Sequence, residues 1–237
     1  MIILQYNRRN VWILSIKLRN MNDLDKLLAE KFLQIGAIKL QPSSPFIWSS
    51  GWNSPIYNDH RKALSYPDVR NFIKAELARV IMEKFPEAQA VVSVENGAIA
   101  FGLLAADDMG VPFAYVRNTP KDHGLENTIE GNLRPGWKVV VIEDLVSTGG
   151  TSLHAIETVN NSGCEVVGMA SLFSYEFPIA VKRLREANVT AVSLCTFGTL
   201  LDVAEKMEFI SRKESVALHE WRENPGVWTP IPKDVFL

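Results

Sequence analysis

Apolar positions along the chain follow two periods. Leu24, Leu27, Leu28 and Phe32 recur at helical spacing, and the run stops near Gly36. Residues 37–40 fit a short strand. Residues 41–58 are rich in proline and serine, with Gly51 and the aromatics Trp48, Trp52 and Tyr57, which predicts an irregular segment with embedded short strands. A helix is expected from about 67 to 85, with Pro67 in its first turn, where a missing N–H costs nothing. Beyond it, β-branched runs alternate with helical patterns. Strands are expected at 90–94, 112–116, 138–142, 165–172 and 190–195. Helices are expected at 98–107, 152–161 and 179–187, with Gly110 and Gly163 closing the first two. Residues 117–136 form a long polar segment, and two more helices close the chain. Such alternation predicts an α/β fold: a parallel sheet flanked by helices, with ligands beyond the carboxyl ends of the strands.

Composition narrows the class. The 237 residues are 47% hydrophobic and 22% charged, the balance of a soluble globular protein. A formal net charge of −2 supplies no global pull toward nucleic acid or an anionic membrane. An anionic ligand would therefore need a local basic cluster. No run approaches the ~18 apolar residues of a membrane span, and a cytoplasmic location is expected. Cys164 and Cys195 sit in apolar stretches and read as buried thiols rather than a disulfide. Residues 1–20 hold Arg8, Arg9, Lys17 and Arg19 and no acid, with a short apolar patch at 11–16 that suits no signal peptide. They are expected to be an appendage outside the folded core, with a misassigned start as one explanation. Residues 21–65 and 66–237 are expected to form an N-terminal part and a larger core of one domain.

The strongest chemical signal follows Val139, Val140, Val141 and Ile142. Glu143 and Asp144 come next, then Leu145, Val146, Ser147, Thr148, Gly149, Gly150, Thr151 and Ser152. Glycines let backbone N–H groups approach an anion, a helix start adds partial positive charge, and hydroxyls donate further bonds. Carboxylates cannot hold a bare phosphate, but they suit ribose hydroxyls or waters on a Mg²⁺ carried by the ligand. The combination points to a phosphorylated sugar. No lysine follows the glycines, so the nucleotide-hydrolase P-loop pattern is excluded. The stretch resembles the signature for the activated ribose PRPP in type I phosphoribosyltransferases. That resemblance implies Glu143 and Asp144 facing the ribose and residues 147–151 holding the 5-phosphate, with Leu145 and Val146 completing the PRPP-binding run.

A second signal is Arg117, Asn118, Thr119, Pro120, Lys121, Asp122, His123 and Gly124. Cations on a long polar loop can neutralise a departing pyrophosphate, and a lid excludes water from an activated ribose. The segment resembles the mobile catalytic loop of orotate phosphoribosyltransferases at Arg117, Lys121, His123 and Gly124, with Asn118 where that pattern has lysine. The resemblance implies a homodimer in which residues 117–131 reach the partner's site. It also implies that Lys121 and His123 assist the leaving group while Arg117 binds phosphate.

Residues 50–57, Ser-Gly-Trp-Asn-Ser-Pro-Ile-Tyr, followed by Arg61, resemble the small N-terminal hood of the same family. Ser147, Ser49 and Tyr57 are the expected orotate contacts. Ser49 stands where many members have lysine, and residues 173–178 lack the arginine that contacts orotate elsewhere. Glu95, in the loop expected to touch pyrophosphate, would repel it unless Mg²⁺ intervenes or the side chain turns away. His60, His154 and His219 read as structural or surface residues. The resemblance implies orotate plus PRPP giving orotidine 5′-phosphate and pyrophosphate in pyrimidine synthesis, with Mg²⁺ as cofactor and no ligand set for a directly bound metal. A phosphoribosyltransferase for another base and a non-catalytic PRPP-binding regulator remain alternatives. Lys121→Ala is expected to lower turnover far more than PRPP binding in steady-state and equilibrium assays; equal losses, or none, would remove its assigned role.

Overall fold

The computed structural model describes residues 21–47, 53–117 and 128–230. Helix α1 (Met21–Gln34) buries Leu24, Leu28 and Phe32 along one stripe. Four short strands follow: β1 (Ile38–Leu40), β2 (Phe46–Ile47), β3 (Asn53–Ser54) and β4 (Ile56–Asn58). They form two antiparallel pairs, β1 with β4 and β2 with β3. A 3-10 turn at His60–Ser65 leads into α2 (Pro67–Lys84), which Pro67 opens. Then come β5 (Ala90–Val94), α3 (Ile99–Met109), β6 (Phe113–Val116) and β7 (Ile129–Glu130). The remainder is β8 (Lys138–Val146), α4 (Gly150–Asn161), β9 (Glu165–Ser174), α5 (Pro178–Glu186), β10 (Ala191–Thr196), α6 (Phe197–Lys206) and α7 (Arg212–Glu223).

Six strands form the main sheet in the order β10-β9-β8-β5-β6-β7. All neighbours are parallel except β7, which pairs antiparallel with β6 through Tyr115 with Glu130 and Val116 with Ile129. Val139 to Ile142 and all five residues of β5 are buried because helices cover both faces. The chain runs outward from β5 to β6, returns to β8, and then proceeds through β9 to β10. Right-handed crossovers therefore place α3 and α4 on opposite faces, and α2 packs beside α3. The loops after β5 and β8 diverge from adjacent strands, which opens a crevice at their carboxyl ends.

The N-terminal strand pairs share the sheet's core, since Ile38, Ile56 and Ala63 pack in the same apolar cluster as Phe173 and Leu218. His60 is wedged between Phe32 and Phe173, at ring separations of 4.6 and 5.7 Å. Burial lowers its imidazole to about 3, so it is a neutral packing element. Both cysteines are buried free thiols.

Two expectations need correction. The strand expected to end at residue 142 continues to Val146, because Glu143, Leu145 and Val146 stay in register with Ser171, Phe173 and Ser174 of β9. The segment 117–136 is not wholly irregular, because β7 returns it to the sheet. Residues 1–20 lie outside the described residues. At Gly168, opposite Val140, a Cβ would collide with the Phe85 ring and lie 2.8 Å from the Thr190 carbonyl oxygen. Gly168→Ala is expected to cost about 1–3 kcal/mol of stability, read from urea unfolding midpoints.

Candidate active site

Strand β8 delivers its carboxyl end into the crevice and turns through Ser147, Thr148 and Gly149 into α4. Gly149 has φ 77°, in the left-handed region where a side chain would strain, and it precedes the helix without any side-chain cap. Residues 150–152 supply first-turn N–H groups that have no carbonyl partner within the helix. With the helix dipole behind them, they have the arrangement that suits an anion. Ser147 and Thr148 are half-buried beside it, while Gly150 and Thr151 are exposed. Leu145 and Val146 belong to the strand rather than the turn, and the Val146 carbonyl accepts the Tyr175 N–H at 3.0 Å.

The two acids have different settings. Glu143 is buried; its Oε2 accepts the Ser152 hydroxyl at 3.0 Å and its Oε1 accepts the Asp144 N–H at 3.2 Å. Desolvation, reinforced by the Asp144 charge, pushes its carboxyl up to about 8. Burial also raises Asp144, while its bonds to Glu143 and to backbone, and the positive charge of Arg61, work against that rise. Of the two, Glu143 is the carboxyl that burial pushes furthest toward its neutral form. The Asp144 carboxylate lies against Gly97 in the loop after β5, where a Cβ would collide with it. Glu95 in the same loop is half-buried, and its N–H donates to the Val116 carbonyl at 2.9 Å. The turn after β8, the acid pair and the loop after β5 thus meet at one place.

The N-terminal strands reach the same edge. Asn58 donates from Nδ2 to the Tyr175 hydroxyl at 3.0 Å, joining β4 to the exit of β9. Tyr57 is 37% exposed and its ring stands 5.4 Å from Phe46. Arg61 donates from Nε to Asp59 at 2.8 Å and carries its charge toward Asp144 and Tyr57. Phe173, Tyr175 and Phe177, where the sequence lacks an expected arginine, instead join Phe197 and Trp221 in a buried aromatic cluster. Arg117 leaves β6 with its N–H on the Thr128 carbonyl at 2.8 Å and its guanidinium 3.7 Å from Glu130. Lys121, His123, Asn118 and Ser49 lie outside the described residues.

One contact has no sequence signal: Arg183 of α5 donates from Nη1 to the Thr148 carbonyl at 3.1 Å, across 35 positions. Among the described residues no cluster of three or more His, Cys, Asp or Glu could hold a metal, and no helix is long and apolar enough to cross a membrane.

Comparison with known proteins places this geometry. Residues 69–197 match the family model described as "Phosphoribosyl transferase domain". The orotate phosphoribosyltransferase of Phocaeicola vulgatus is 53% identical over 208 residues, covering 88% of this chain and 98% of the relative. The chain belongs to the orotate phosphoribosyltransferase family. The orotate phosphoribosyltransferase of Aeropyrum pernix is a structural neighbour with TM-score 0.68 and 27% identity, covering 78% of this chain and 99% of that one. The UMP synthase of Leishmania donovani superposes with TM-score 0.73 at 24% identity, a likeness of fold. It covers 88% of this chain, which spans only 44% of that longer protein. The type I phosphoribosyltransferase fold expected from the sequence is the one observed.

The acid pair gives a stability signature. Glu143 keeps its proton in the folded state while the unfolded chain would lose it near 4.5, so unfolding releases a proton between those values. Raising pH through that window therefore lowers stability, and the effect levels off above about 8. Glu143→Gln is expected to flatten this contribution, seen as a smaller loss of urea resistance between pH 5 and pH 9 than in the unmodified protein.

Proposed function

We propose that this chain transfers the 5-phosphoribosyl group of PRPP to orotate at the carboxyl edge of β5 and β8, giving orotidine 5′-phosphate and pyrophosphate. The observation that carries the assignment of the site is the uncapped start of α4 beside the Asp144 carboxylate. The N–H groups of residues 150–152 and the hydroxyls of Ser147, Thr148 and Thr151 hold the 5-phosphate. Asp144 accepts from a ribose hydroxyl, with Glu143 fixed behind it on Ser152. Tyr57, Ser49 and Ser147 line the orotate side.

The C1′–oxygen bond to pyrophosphate breaks with its electron pair on the departing oxygen, and N1 of orotate, its proton given up to solvent, forms the new bond to C1′. No covalent nucleophile on the protein is required; orientation, charge and dryness suffice. Lys121 and His123 neutralise the leaving group, and Arg117 contributes once released from Glu130. A family likeness at 117–124 supports a homodimer in which this segment serves the partner's site. The half-buried Asp144 suits the water shell of a Mg²⁺ ion that arrives on the substrate, rather than a resident metal. Such an ion would neutralise pyrophosphate charge. The reading includes a cytoplasmic setting.

Orotate absorbance is expected to fall when the protein is given orotate, PRPP and Mg²⁺ and to stay constant when EDTA removes the metal, and no nucleotide is expected to form when uracil or a purine replaces orotate. No loss of orotate with all components present would refute the assignment.

A further inference from the structure

We propose that Arg183 is a positioning residue for the 5-phosphate of PRPP, acting through the peptide that joins Thr148 to Gly149. The inference rests on the phosphate-binding reading of the turn and goes beyond it, because Arg183 lies in α5, outside the turn and outside the segments with a sequence signature.

The argument starts from the planar peptide. In a trans peptide the carbonyl and the following N–H point in opposite directions. Arg183 holds the Thr148 carbonyl at 3.1 Å, so the Gly149 N–H must point away from α5. That orientation is not secured locally. Glycine accepts positive and negative φ almost equally, and Gly149 sits at φ 77° with no side chain to prefer one peptide face. A peptide before such a residue can turn over at small cost, which would present a carbonyl where the anion needs a donor.

Packing locates the guanidinium beside the turn. A Cβ on Gly149 would stand 3.7 Å from Ala180, one helical turn before Arg183, and a Cβ on Gly150 would stand 4.0 Å from the Arg183 Nη1. Helix α5 therefore lies directly behind the phosphate turn, and Arg183 is its polar link to it. The charge on Arg183 also favours a nearby anion. A donor that orders the turn before binding acts on substrate and transition state alike, so its loss should appear in PRPP affinity rather than in turnover.

The test compares Arg183→Met with Arg183→Lys, using ribose 5-phosphate as a second probe because it carries the phosphate without the reacting centre. Arg183→Met is expected to raise the PRPP KM about tenfold and to weaken ribose 5-phosphate binding in calorimetry by a similar factor. The orotate KM and kcat should change by less than about twofold, and Arg183→Lys, which keeps a donor, should recover most of the loss. If Arg183→Met does not fold, Arg183→Gln takes its place, with the same direction of effect and the same lysine rescue. A PRPP KM equal to that of the parent would overturn the inference while leaving the assigned activity intact. So would a joint rise of both KM values with a fallen melting temperature. A parent protein that consumes no orotate is the distinct result that removes the underlying reading.

Discussion

A helix must satisfy its first N–H groups, and α4 begins after a residue with no side chain to do so. In most helices serine, threonine or aspartate at this position closes the end on itself. Here Ser152, the nearest buried hydroxyl, is turned back to Glu143. The start of α4 is held open by the elements that surround it. Strand β8, paired with β5 on one side and β9 on the other, cannot shift without breaking two ladders. The turn it feeds is fixed at one end by that sheet and at its back by α5. The donors are arranged before any ligand arrives, so binding need not meet the cost of arranging them.

The same economy governs charge. Two neighbouring carboxylates would repel each other and the substrate, yet burial favours the neutral form of both. Burial raises both carboxyls, Glu143 the further of the two, while the Ser152 hydroxyl works against the rise at Glu143 and Arg61 works against it at Asp144. The N-terminal strands are drawn over this pair by the bond from Asn58 to Tyr175 and by the packing of His60 between rings. An aromatic cluster thus occupies residues 173–177, which hold no arginine, and it anchors the part of the chain that carries Tyr57 and Arg61.

Most strand and helix positions were legible because burial on both faces writes itself as unbroken β-branched runs, as at Val139 to Ile142. The turn after β8 was legible as a candidate anion site because glycines and hydroxyls have few other reasons to follow such a run. The end of β8 was misread because two acids resemble a surface turn; the burial that favours their neutral form is a property of packing. Strand β7 was missed because two residues cannot display a period. Arg183 was invisible for a different reason. It is one of three basic residues on an exposed helix, and only the fold brings it to a carbonyl 35 positions away.

The edge of the sheet beside β6 has a consequence for chain variation. Arg117 and Thr128 are bonded backbone to backbone, and β7 continues that seam. Arg117 and Thr128, the described ends on either side of residues 118–127, therefore lie next to each other. Closure entropy grows only with the logarithm of length, so a few residues gained or lost there would alter stability by only a few tenths of a kcal/mol, roughly. The sheet registers to either side would not change. A change of length in that stretch would leave the strand pairings that position the crevice where they are.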